Sequence, residues 1–564
     1  MKIIILPPEI SQKIAAGEVI ERPFSVVKEL VENSLDADSS EIKVELGAGG
    51  KKLVKVTDNG RGMTREDALV CFERHSTSKL SSLEDLSRIS TLGFRGEALP
   101  SISAVSRVVL KTSDGSEDLG TLVEREGEKP VRTSDIAFPR GTSVEVRDLF
   151  FNLPAREKFL RSDKSELSSV VKHLAVVSLA YPEIRFSLFH GTRQIFDYPP
   201  VKNLKERIFQ IYGKSLLEHL LEVDFRDDGW KIFGYASLPP SGRRDKSLQL
   251  FFVNRRPVRD RTLQAALNQA YRGFLEKDNF AESIIFLFCP YNEVDINVHP
   301  TKAEVRFRDS SLVFHLVLES IEQALLKAKG IKEVYPAKAK EKAGSSIEES
   351  APPAFRPRRE EAASKQGLFF PLTEGEKIYP RALGQYLDSY IVALSKEGII
   401  IVDQHNAHER VLFERYEEID RRKKWPQKMA LLPIVFELSV SQALSFEDNE
   451  AQLEEVGFRI EAMGGRSFAL KEYPDIFKEE EAKEIFLSLL EEMEKEKIEN
   501  KKKKILATLA CKTAVKAGQA MSLEKMNYLV EELFKTSNSS LCPHGRPVMV
   551  MIDRKELERA LRRS

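Results

Sequence analysis

Glu29 and Asn33 are the first side chains in this chain whose types and spacing could support chemistry. They are four residues apart in the segment 24–35, whose apolar residues recur at helical spacing, so we predict a helix that presents both on one face. A carboxylate beside a carboxamide could hold a water molecule next to a hydrated Mg²⁺ ion, with Glu29 as general base and Asn33 as a neutral ligand. A solvated, charged helix face explains this spacing equally well.

A second candidate group lies in the segment 58–63, which reads Asp-Asn-Gly-Arg-Gly-Met. It follows an alternating strand predicted at 53–57, so Asp58 would stand at the strand end, where its carboxylate could accept a hydrogen bond from an adenine amino group. Gly62 permits a tight turn and the close approach of a ligand. Taken alone, an Asp-Asn-Gly sequence more often forms only a turn.

A third segment, 93–99, places glycines on both sides of an arginine before an apolar stretch. Backbone amides in such a segment could cradle phosphate groups. The chain contains no Walker A pattern, and this segment is not a Rossmann fingerprint. If the three segments form a nucleotide site, it is therefore of a different kind.

In this order, the three segments resemble the ATP-binding fold shared by gyrase-type topoisomerases, histidine kinases, heat-shock chaperones and MutL proteins. The flanking segments 14–23 (Ile-Ala-Ala-Gly-Glu-Val-Ile-Glu-Arg-Pro) and 75–79 (His-Ser-Thr-Ser-Lys) are similar to the MutL family of mismatch-repair ATPases, and the similarity is nearly unbroken to about residue 310. The resemblance implies ATP and Mg²⁺ as cofactors, with Glu29 as the base that activates water. It also implies the following ATP-site residues: Asn33 (as the Mg²⁺ ligand), Asp58, Gly62, Lys79, Gly93, Phe94, Arg95, Gly96, Thr142 and Lys302.

Two of these residues come from parts of the chain beyond the three segments. Thr142 follows Gly141 in a turn before a strand predicted at 143–146, which resembles the family's fourth ATP-site motif. Lys302 ends the segment 294–302, which in the family reaches back to the terminal phosphate; a cation there would neutralise charge on the transferred phosphoryl group. Outside this resemblance, Lys302 would be taken for an ordinary surface lysine.

Composition sets looser bounds. A chain of 564 residues should hold three or four domains. Its 87 basic residues equal its 87 acidic ones, so any contact with DNA must come from a local basic patch. The four cysteines form no secreted disulfide framework, and no signal peptide or membrane-length apolar run is visible. We expect a cytoplasmic, nucleoid-associated protein with no membrane partner.

We predict an α/β and α+β multidomain protein with four regions. An ATP-binding α/β sandwich of the gyrase, histidine-kinase and MutL type occupies 1–202. A second, transducer-like α/β domain at 203–332 resembles a ribosomal-protein fold and completes the ATP site. A flexible linker at 333–376 is rich in Lys, Glu, Ser and Pro and has too few apolar residues to fold. A C-terminal α/β domain at 377–564 should provide dimerisation and a metal-dependent nuclease.

The second domain contains four arginines in seven residues, which form a candidate contact for DNA phosphates. They are Arg255, Arg256, Arg259 and Arg261. Arg261 matches a family arginine implicated in DNA binding. The alternative is a solvated helix start paired with Asp260.

The segment 403–414 resembles the metal motif D-Q-H-A-x-x-E-x-x-x-x-E of the endonuclease-bearing MutL branch. His405 and Glu409 would share one helix face, with Asp403 just before the helix. Asn406 replaces the motif's alanine and could cap the helix. Family-ordered matches at 510–512 and 542–547 add three softer ligands, namely Cys511, Cys542 and His544.

These residue types predict two kinds of metal site. Carboxylates suit Mn²⁺ or Mg²⁺, so we expect Asp403 and Glu409 to hold a catalytic ion for phosphodiester cleavage. Thiolate and imidazole ligands favour Zn²⁺, so His405, Glu409, Cys542 and His544 should hold a regulatory or structural ion. The endonuclease branch often ends in F-x-R, and this chain has Leu561 in place of the phenylalanine.

A peptide at 427–433 resembles a sliding-clamp binding motif through Gln427, Met429 and Leu432. A plain loop leading into a strand at 434–436 explains it equally well.

The resemblance implies a nicking-type mismatch-repair ATPase that is a homodimer and acts with double-stranded DNA, MutS and the replication β clamp. The alternative is an ATP-operated matchmaker that recruits other enzymes and has no nuclease. A gyrase-like or chaperone ATPase would need C-terminal domains that these motifs do not match.

Overall fold

The computed structural model describes residues 19–79, 91–93, 96–127, 129–239, 241–243, 245–275, 279–295, 305–328, 379–423, 425–495, 501–516 and 518–561. The described residues form two compact units, one within 1–330 and 416–513, the other within 331–415 and 514–564. The predicted linker and the predicted ligands Phe94, Arg95 and Lys302 lie outside the described residues. Within these ranges, no helix combines the length and apolar character needed to cross a lipid bilayer.

An eight-stranded mixed sheet forms the first layer of unit 1, in the order β5-β4-β3-β6-β2-β1-β7-β8. Only β1 and β7 run parallel; the other neighbours are antiparallel. The strands are β1 (Glu41–Gly47), β2 (Leu53–Asp58), β3 (Arg107–Ser113), β4 (Gly120–Glu126), β5 (Arg132–Ile136), β6 (Gly141–Arg147), β7 (Arg185–His190) and β8 (Arg193–Tyr198). The helices with them are α1 (Pro23–Asp36), α2 (Arg65–Val70), α3 (Ala98–Ala104), α4 (Pro154–Glu157) and α5 (Asp163–Ala180).

Helix α1 forms where the apolar spacing predicted it. Pro23 occupies its first turn, where a missing N–H costs nothing, and Val27, Leu30 and Val31 are buried. Strand β2 alternates in burial, with Val54 and Val56 inside. These two elements share one hydrophobic core with α5, and the core holds the polar face of α1 in place.

A second sheet of unit 1 has the order β12-β11-β13-β10-β9. Its strands are β9 (Leu220–Asp227), β10 (Trp230–Ser237), β11 (Gln249–Val253), β12 (Arg256–Val258) and β13 (Ser283–Phe288). Helices α6 (Leu204–Tyr212) and α7 (Lys214–Leu217) precede it, α8 (Arg261–Ala270) and α9 (Ser310–Ala328) pack together, and β14 (Val294–Asp295) pairs with β15 (Arg306–Phe307).

Unit 1 also contains a three-stranded antiparallel sheet in the order β19-β21-β20. These strands are β19 (Gln427–Glu437), β20 (Arg459–Gly464) and β21 (Ser467–Pro474). The helices of this region are α11 (Val440–Glu455), α12 (Glu479–Lys495) and α13 (Lys501–Thr513).

Unit 2 is built on a four-stranded antiparallel sheet in the order β16-β17-β18-β22. The strands are β16 (Arg381–Tyr386), β17 (Tyr390–Leu394), β18 (Gly398–Asp403) and β22 (Met549–Asp553). The helices are α10 (Gln404–Arg421), whose first twelve residues belong to this unit, α14 (Leu523–Lys535) and α15 (Arg554–Ala560). Ile391, Ile400 and Val402 point from one face of the sheet into a core with α14.

The start of α10 corrects one prediction. Asp403, not Asn406, caps this helix: an oxygen of the Asp403 carboxylate accepts the backbone N–H of Asn406 at 2.9 Å. Asn406 is buried in the first turn, and its amide donates to the carbonyl of Pro547 at 3.1 Å. The residue before the helix has the better position for capping, because the unpaired N–H groups point back toward it.

Candidate nucleotide site and metal centre

A cavity of about 1670 Å³ opens in unit 1 above α1 and the end of β2. It brings together every predicted ATP-site residue that the structure describes. Its lining includes Glu29, Asn33, Asp58, Gly62, Lys79, Gly93, Gly96 and Thr142. The volume exceeds what a drug-sized ligand requires, so a nucleotide would fit.

Asp58 forms one end of the cavity. Its two carboxylate oxygens accept hydrogen bonds from the Ser34 hydroxyl at 2.7 Å and from the backbone N–H of Gly60 at 2.9 Å. Burial raises the pKa of Asp58 above its ordinary value, although these hydrogen bonds oppose the shift. Thr142 is its cross-strand neighbour on β6, so this threonine lies inside a strand and not in the predicted turn.

Two glycines of the cavity are required by close backbone contacts. Gly62 has φ +71°, and a Cβ there would lie 1.9 Å from the carbonyl oxygen of Ser113. Gly96 has φ +62°, and a Cβ would lie 2.5 Å from the carbonyl oxygen of Ser76. Any other residue would push these segments apart and change the cavity wall.

Lys79 forms hydrogen bonds with two side chains of α1. Its ammonium donates to the side-chain oxygen of Asn33 at 2.9 Å and to the carboxylate of Asp36 at 2.6 Å. Glu29, one turn earlier on the helix, is half-buried in the same wall. A cation thus already lies beside the oxygen predicted to bind Mg²⁺, and it is itself a predicted ATP ligand.

Asp36 is a site residue that the sequence analysis did not single out. Its carboxylate accepts the backbone N–H groups of Leu92 and Gly93 at 2.8 and 3.0 Å, in addition to the Lys79 ammonium. Its spacing of three residues from Asn33 was the available signal, since residues at i and i+3 share a helix face.

The four predicted DNA-contact arginines differ in their surroundings. Arg259 and Arg261 are exposed, and Asp260 between them caps α8 by accepting the N–H of Leu263 at 2.9 Å. Arg255 pairs with Glu183 at 2.5 Å and lies over the ring of Tyr181.

Arg256 is only 6% exposed, which argues against its predicted contact with DNA. Its guanidinium donates to the carbonyls of Thr91 and Leu92 at 3.0 and 3.1 Å inside the nucleotide cavity. A guanidinium bonded in this way has no surface to offer a DNA phosphate.

A cluster of potential metal ligands lies in unit 2. Single ligand atoms of Glu409, Cys542 and His544 are all within 4.8 Å of one another. Glu409 is 1% exposed and Cys542 is 2% exposed. One oxygen of Glu409 lies 3.3 Å from Nδ1 of His544, and the other lies 3.2 Å from Nε2 of His405. A thiolate, two imidazoles and a carboxylate, of which the sulfur and the carboxylate are buried, are a donor set that suits Zn²⁺.

Backbone geometry keeps these ligands in position. Gly545 donates to the carbonyl of Cys542 and Cys542 donates to that of Arg546, both at 2.9 Å, so the segment forms a tight turn that presents Cys542 and His544 together. His405 directs its Nδ1 at the carbonyl of Val515 at 3.0 Å, which leaves Nε2 facing Glu409. Such outer hydrogen bonds select the tautomer in metal sites.

Asp403 and Cys511 are two further residues that the sequence predicts as metal ligands. Asp403 is not among the described ligand groups that gather around Glu409, and its carboxylate caps α10. Cys511 is half-buried on α13, which belongs to unit 1. Their roles as metal ligands stay predictions.

His408 is a further polar residue, half-buried, that the sequence analysis did not mention. Burial lowers its pKa to about 4, and its Nδ1 accepts the backbone N–H of Val515 at 2.8 Å.

The predicted clamp peptide is part of β19 and not a loop. Gln427 is exposed, Met429 is 73% exposed and Leu432 is 77% exposed. The pairing of β19 with β21 is interrupted between Met429 and Ile434. These apolar side chains are therefore accessible on an edge strand.

Three family models match this chain. The model "Histidine kinase-, DNA gyrase B-, and HSP90-like ATPase" matches residues 20–127. The model "DNA mismatch repair protein, C-terminal domain" matches residues 208–326, and "MutL C terminal dimerisation domain" matches residues 383–521. The first match includes α1 and β2 of the nucleotide cavity, and the second includes the four arginines of the segment 255–261.

Curated relatives match over the whole chain. A DNA mismatch repair protein MutL from Koribacter versatilis is 37% identical, and one from Syntrophotalea carbinolica is 36% identical, each with 100% of both chains covered. A solved structure described as the Aquifex aeolicus MutL ATPase domain complexed with ADP is 29% identical; it covers 53% of this chain and 98% of that chain, with a TM-score of 0.37.

Proposed function

The chain belongs to the MutL family of DNA mismatch repair proteins, and we propose that it couples ATP hydrolysis to metal-dependent nicking of DNA. The ATPase belongs to its gyrase- and HSP90-like N-terminal region. The nuclease activity is proposed for unit 2. The observation that carries it is the buried Glu409 carboxylate between His405 and His544, beside Cys542.

ATP hydrolysis would use the cavity of unit 1. The cavity supports a nucleotide with its adenine at Asp58 and its phosphates near Lys79 and Gly93. Asn33 would offer its oxygen to Mg²⁺, and Glu29 would take a proton from the attacking water. None of the other described residues donates a hydrogen bond to the Glu29 carboxylate, so both of its oxygens can face a water molecule.

DNA nicking would use the cluster of unit 2. His405, Glu409, Cys542 and His544 would hold a zinc ion, which binds thiolate and imidazole ligands tightly. A second ion of the Mn²⁺ or Mg²⁺ type, held by Asp403 and Glu409, would supply Lewis-acid chemistry for phosphodiester cleavage. Arg259 and Arg261 would contact DNA phosphates, because both are exposed cations at the start of α8.

Homodimerisation would use the outer face of the unit 2 sheet. Antiparallel sheets usually expose a polar face to water, but this face carries Val392 opposite Ile401 and Ile401 opposite Val550. Exposed apolar residues on this sheet and next to it include Leu383, Tyr386, Leu387, Tyr390, Leu394, Val550 and Met551. An apolar face of this size favours contact with a second copy of the chain.

The accessible β19 edge supports the clamp proposal through Gln427, Met429 and Leu432. Membership of the family supports MutS and double-stranded DNA as the remaining partners. A nucleoid-associated, cytoplasmic location follows from this function and stays part of the proposal.

The second candidate is a matchmaker ATPase without nuclease activity. One observation favours it: Asp403, which should hold the catalytic ion, caps α10 and is not among the described ligand groups that gather around Glu409.

Nicking of supercoiled plasmid with Mn²⁺, measured on the wild-type chain and on Asp403→Asn, separates the two candidates. The proposal predicts nicking by the wild type and its loss in the variant, with ATP hydrolysis intact in both. Absence of nicking in both proteins, with intact hydrolysis, would favour the matchmaker.

A further inference from the structure

The segment Thr91–Gly93 is held from two sides by charged residues of unit 1. From α1, the Asp36 carboxylate accepts the N–H groups of Leu92 and Gly93 at 2.8 and 3.0 Å. From β12, Arg256 donates to the carbonyls of Thr91 and Leu92 at 3.0 and 3.1 Å. Each carboxylate or guanidinium thus binds two consecutive backbone groups of the same short segment. Such charge-assisted bonds are about twice as strong as neutral ones.

Hydrogen bonds hold the hairpin that presents Arg256, formed by β11 and β12, in its place. Asn254 and Arg255 form its turn, with φ of +47° and +67°. The Asn254 side chain donates to the carbonyl of Cys289 and accepts the Cys289 N–H, both at 3.0 Å, which connects the turn to the residue directly after β13. Arg256 begins β12 directly after this turn. Because this hairpin belongs to the second sheet, a movement of that sheet would move the Arg256 side chain and, with it, the wall of the nucleotide cavity.

The surroundings of Arg256 are acidic and dry. The carboxylates of Glu29, Glu32 and Asp36 lie close enough to interact with its charge, and burial lowers its pKa. A buried guanidinium is costly unless hydrogen bonds satisfy it, and the two carbonyls of Thr91 and Leu92 do so here. Thr91 and Leu92 come directly before Gly93, the first residue of the predicted phosphate segment. These hydrogen bonds therefore place Arg256 beside that segment.

We propose that Arg256 is a positioning residue of the ATPase, which holds Thr91–Gly93 against Asp36 and so links the DNA-facing hairpin to the phosphate side of the nucleotide cavity. This inference rests on the proposed ATP hydrolysis in unit 1. It assigns Arg256 a nucleotide-linked role, in contrast to its exposed neighbours Arg259 and Arg261, which remain the proposed DNA contacts.

The test compares Arg256→Met, Arg256→Lys and, as control, Arg226→Met, an exposed arginine on β9, in the whole chain. The readouts are the Kd of a non-hydrolysable ATP analogue, the Kd of duplex DNA, and backbone hydrogen exchange at Leu92 and Gly93. We expect Arg256→Met to raise the Kd of the ATP analogue about tenfold or more and to speed hydrogen exchange at the amides of Leu92 and Gly93. Arg256→Lys should be intermediate, and Arg226→Met should match the wild type in analogue binding.

Contrary outcomes are distinct from one another. If Arg256→Met weakens the binding of duplex DNA but leaves the Kd of the analogue and the exchange rates of the two amides unchanged, Arg256 is a DNA contact and the inference is overturned. If exchange quickens throughout the core of α1 as well, its role is general stability and the inference is again overturned; Arg256→Lys gives the same comparison should Arg256→Met fail to fold. If the wild type itself binds no analogue, the proposed ATPase fails, which is a separate result.

Discussion

The ammonium of Lys79 lies 2.9 Å from the side-chain oxygen of Asn33, the atom predicted to bind Mg²⁺. It also lies 2.6 Å from the carboxylate of Asp36. Mg²⁺ and the Lys79 ammonium are both cations, so they would repel each other if both lay against this oxygen. Binding of Mg²⁺ with ATP therefore requires Lys79 to turn away, and the phosphates are the natural new partner for its charge.

This exchange predicts the behaviour of Lys79→Met. The variant should bind Mg²⁺ more tightly than the wild type when no nucleotide is present, because Asn33 and Asp36 lose their internal cation. It should bind ATP more weakly, because the phosphates lose one. Titration calorimetry with Mg²⁺ alone and then with Mg²⁺ and ATP measures both effects. Equal Mg²⁺ affinity in the two proteins would mean that Lys79 does not compete for this position.

Glu29→Ala should separate ATP binding from ATP hydrolysis. Removal of a general base lowers a rate by about 10²–10⁴-fold without removing a contact to the ground-state nucleotide. Steady-state hydrolysis and the Kd of ATP are measured on the same preparation, with the exposed Glu66→Ala as control. Loss of binding together with hydrolysis would show that the substitution disturbs α1 instead of the chemistry.

Asp58 predicts a dependence of ATP binding on pH. Burial raises the pKa of Asp58, so as the pH falls this carboxylate takes up a proton at a higher pH than an exposed aspartate does. The neutral form is the weaker acceptor for an adenine amino group, and ATP affinity should fall as the pH drops through the raised pKa. Folding favours the protonated form of Asp58, because its pKa is higher in the folded chain than in the unfolded chain. Its contribution to the free energy of unfolding is therefore lost as the pH rises through the raised pKa, not as the pH falls.

The measurement is the Kd of ATP between mildly acidic and neutral pH. The wild type should weaken toward acid, and Asp58→Asn should bind weakly at every pH without that step. The exposed Asp224→Asn serves as control and should follow the wild type. An unchanged acid step in Asp58→Asn would assign it to another group.

Cys542→Ser should lower the bound zinc of the purified chain by at least about tenfold, since a first-sphere thiolate contributes more than the outer contacts whose loss already costs that much. Elemental analysis measures the zinc, and Cys71→Ser, in the other unit, controls for the loss of a thiol. Full zinc content in Cys542→Ser would place the ion elsewhere.

The apolar outer face of the unit 2 sheet predicts a dimer that one charge can break. Val550→Glu would bury a carboxylate in the interface with no partner, which should weaken association at least about 100-fold. Light scattering after size exclusion gives the mass, and Glu524→Lys on α14 is the matched control because it lies on the helix that covers the opposite face. A dimer that survives Val550→Glu would require a different interface.

Much of the nucleotide site follows from local sequence, and some of it cannot. The apolar spacing of 24–35 predicts α1, and Asp58 is expected at a strand end because alternation stops there. Arg256, by contrast, sits among exposed arginines in sequence and is buried only because β12 pairs with β11 and turns its side chain toward Thr91 and Leu92. Contacts across more than 160 residues are not encoded in spacing.

The C-terminal motif shows the same limit at closer range. Helical spacing correctly brings His405 and Glu409 together. It could not decide between Asp403 and Asn406 as the cap, because both are good capping residues and the choice depends on where β18 ends. The sequence left two interpretations of the peptide at 427–433 open, a clamp-binding motif and a plain loop. The strand β19 extends through this peptide because β21 supplies a partner strand.

The most direct test of the nuclease proposal is Mn²⁺-dependent nicking of supercoiled plasmid by Glu409→Gln, on protein whose ATP hydrolysis has been measured. Glu418→Gln, exposed further along α10, is the control. We predict that Glu409→Gln hydrolyses ATP like the wild type and leaves the plasmid closed, while Glu418→Gln nicks normally. Nicking by Glu409→Gln at the wild-type rate would contradict the assignment of the nuclease to this buried cluster.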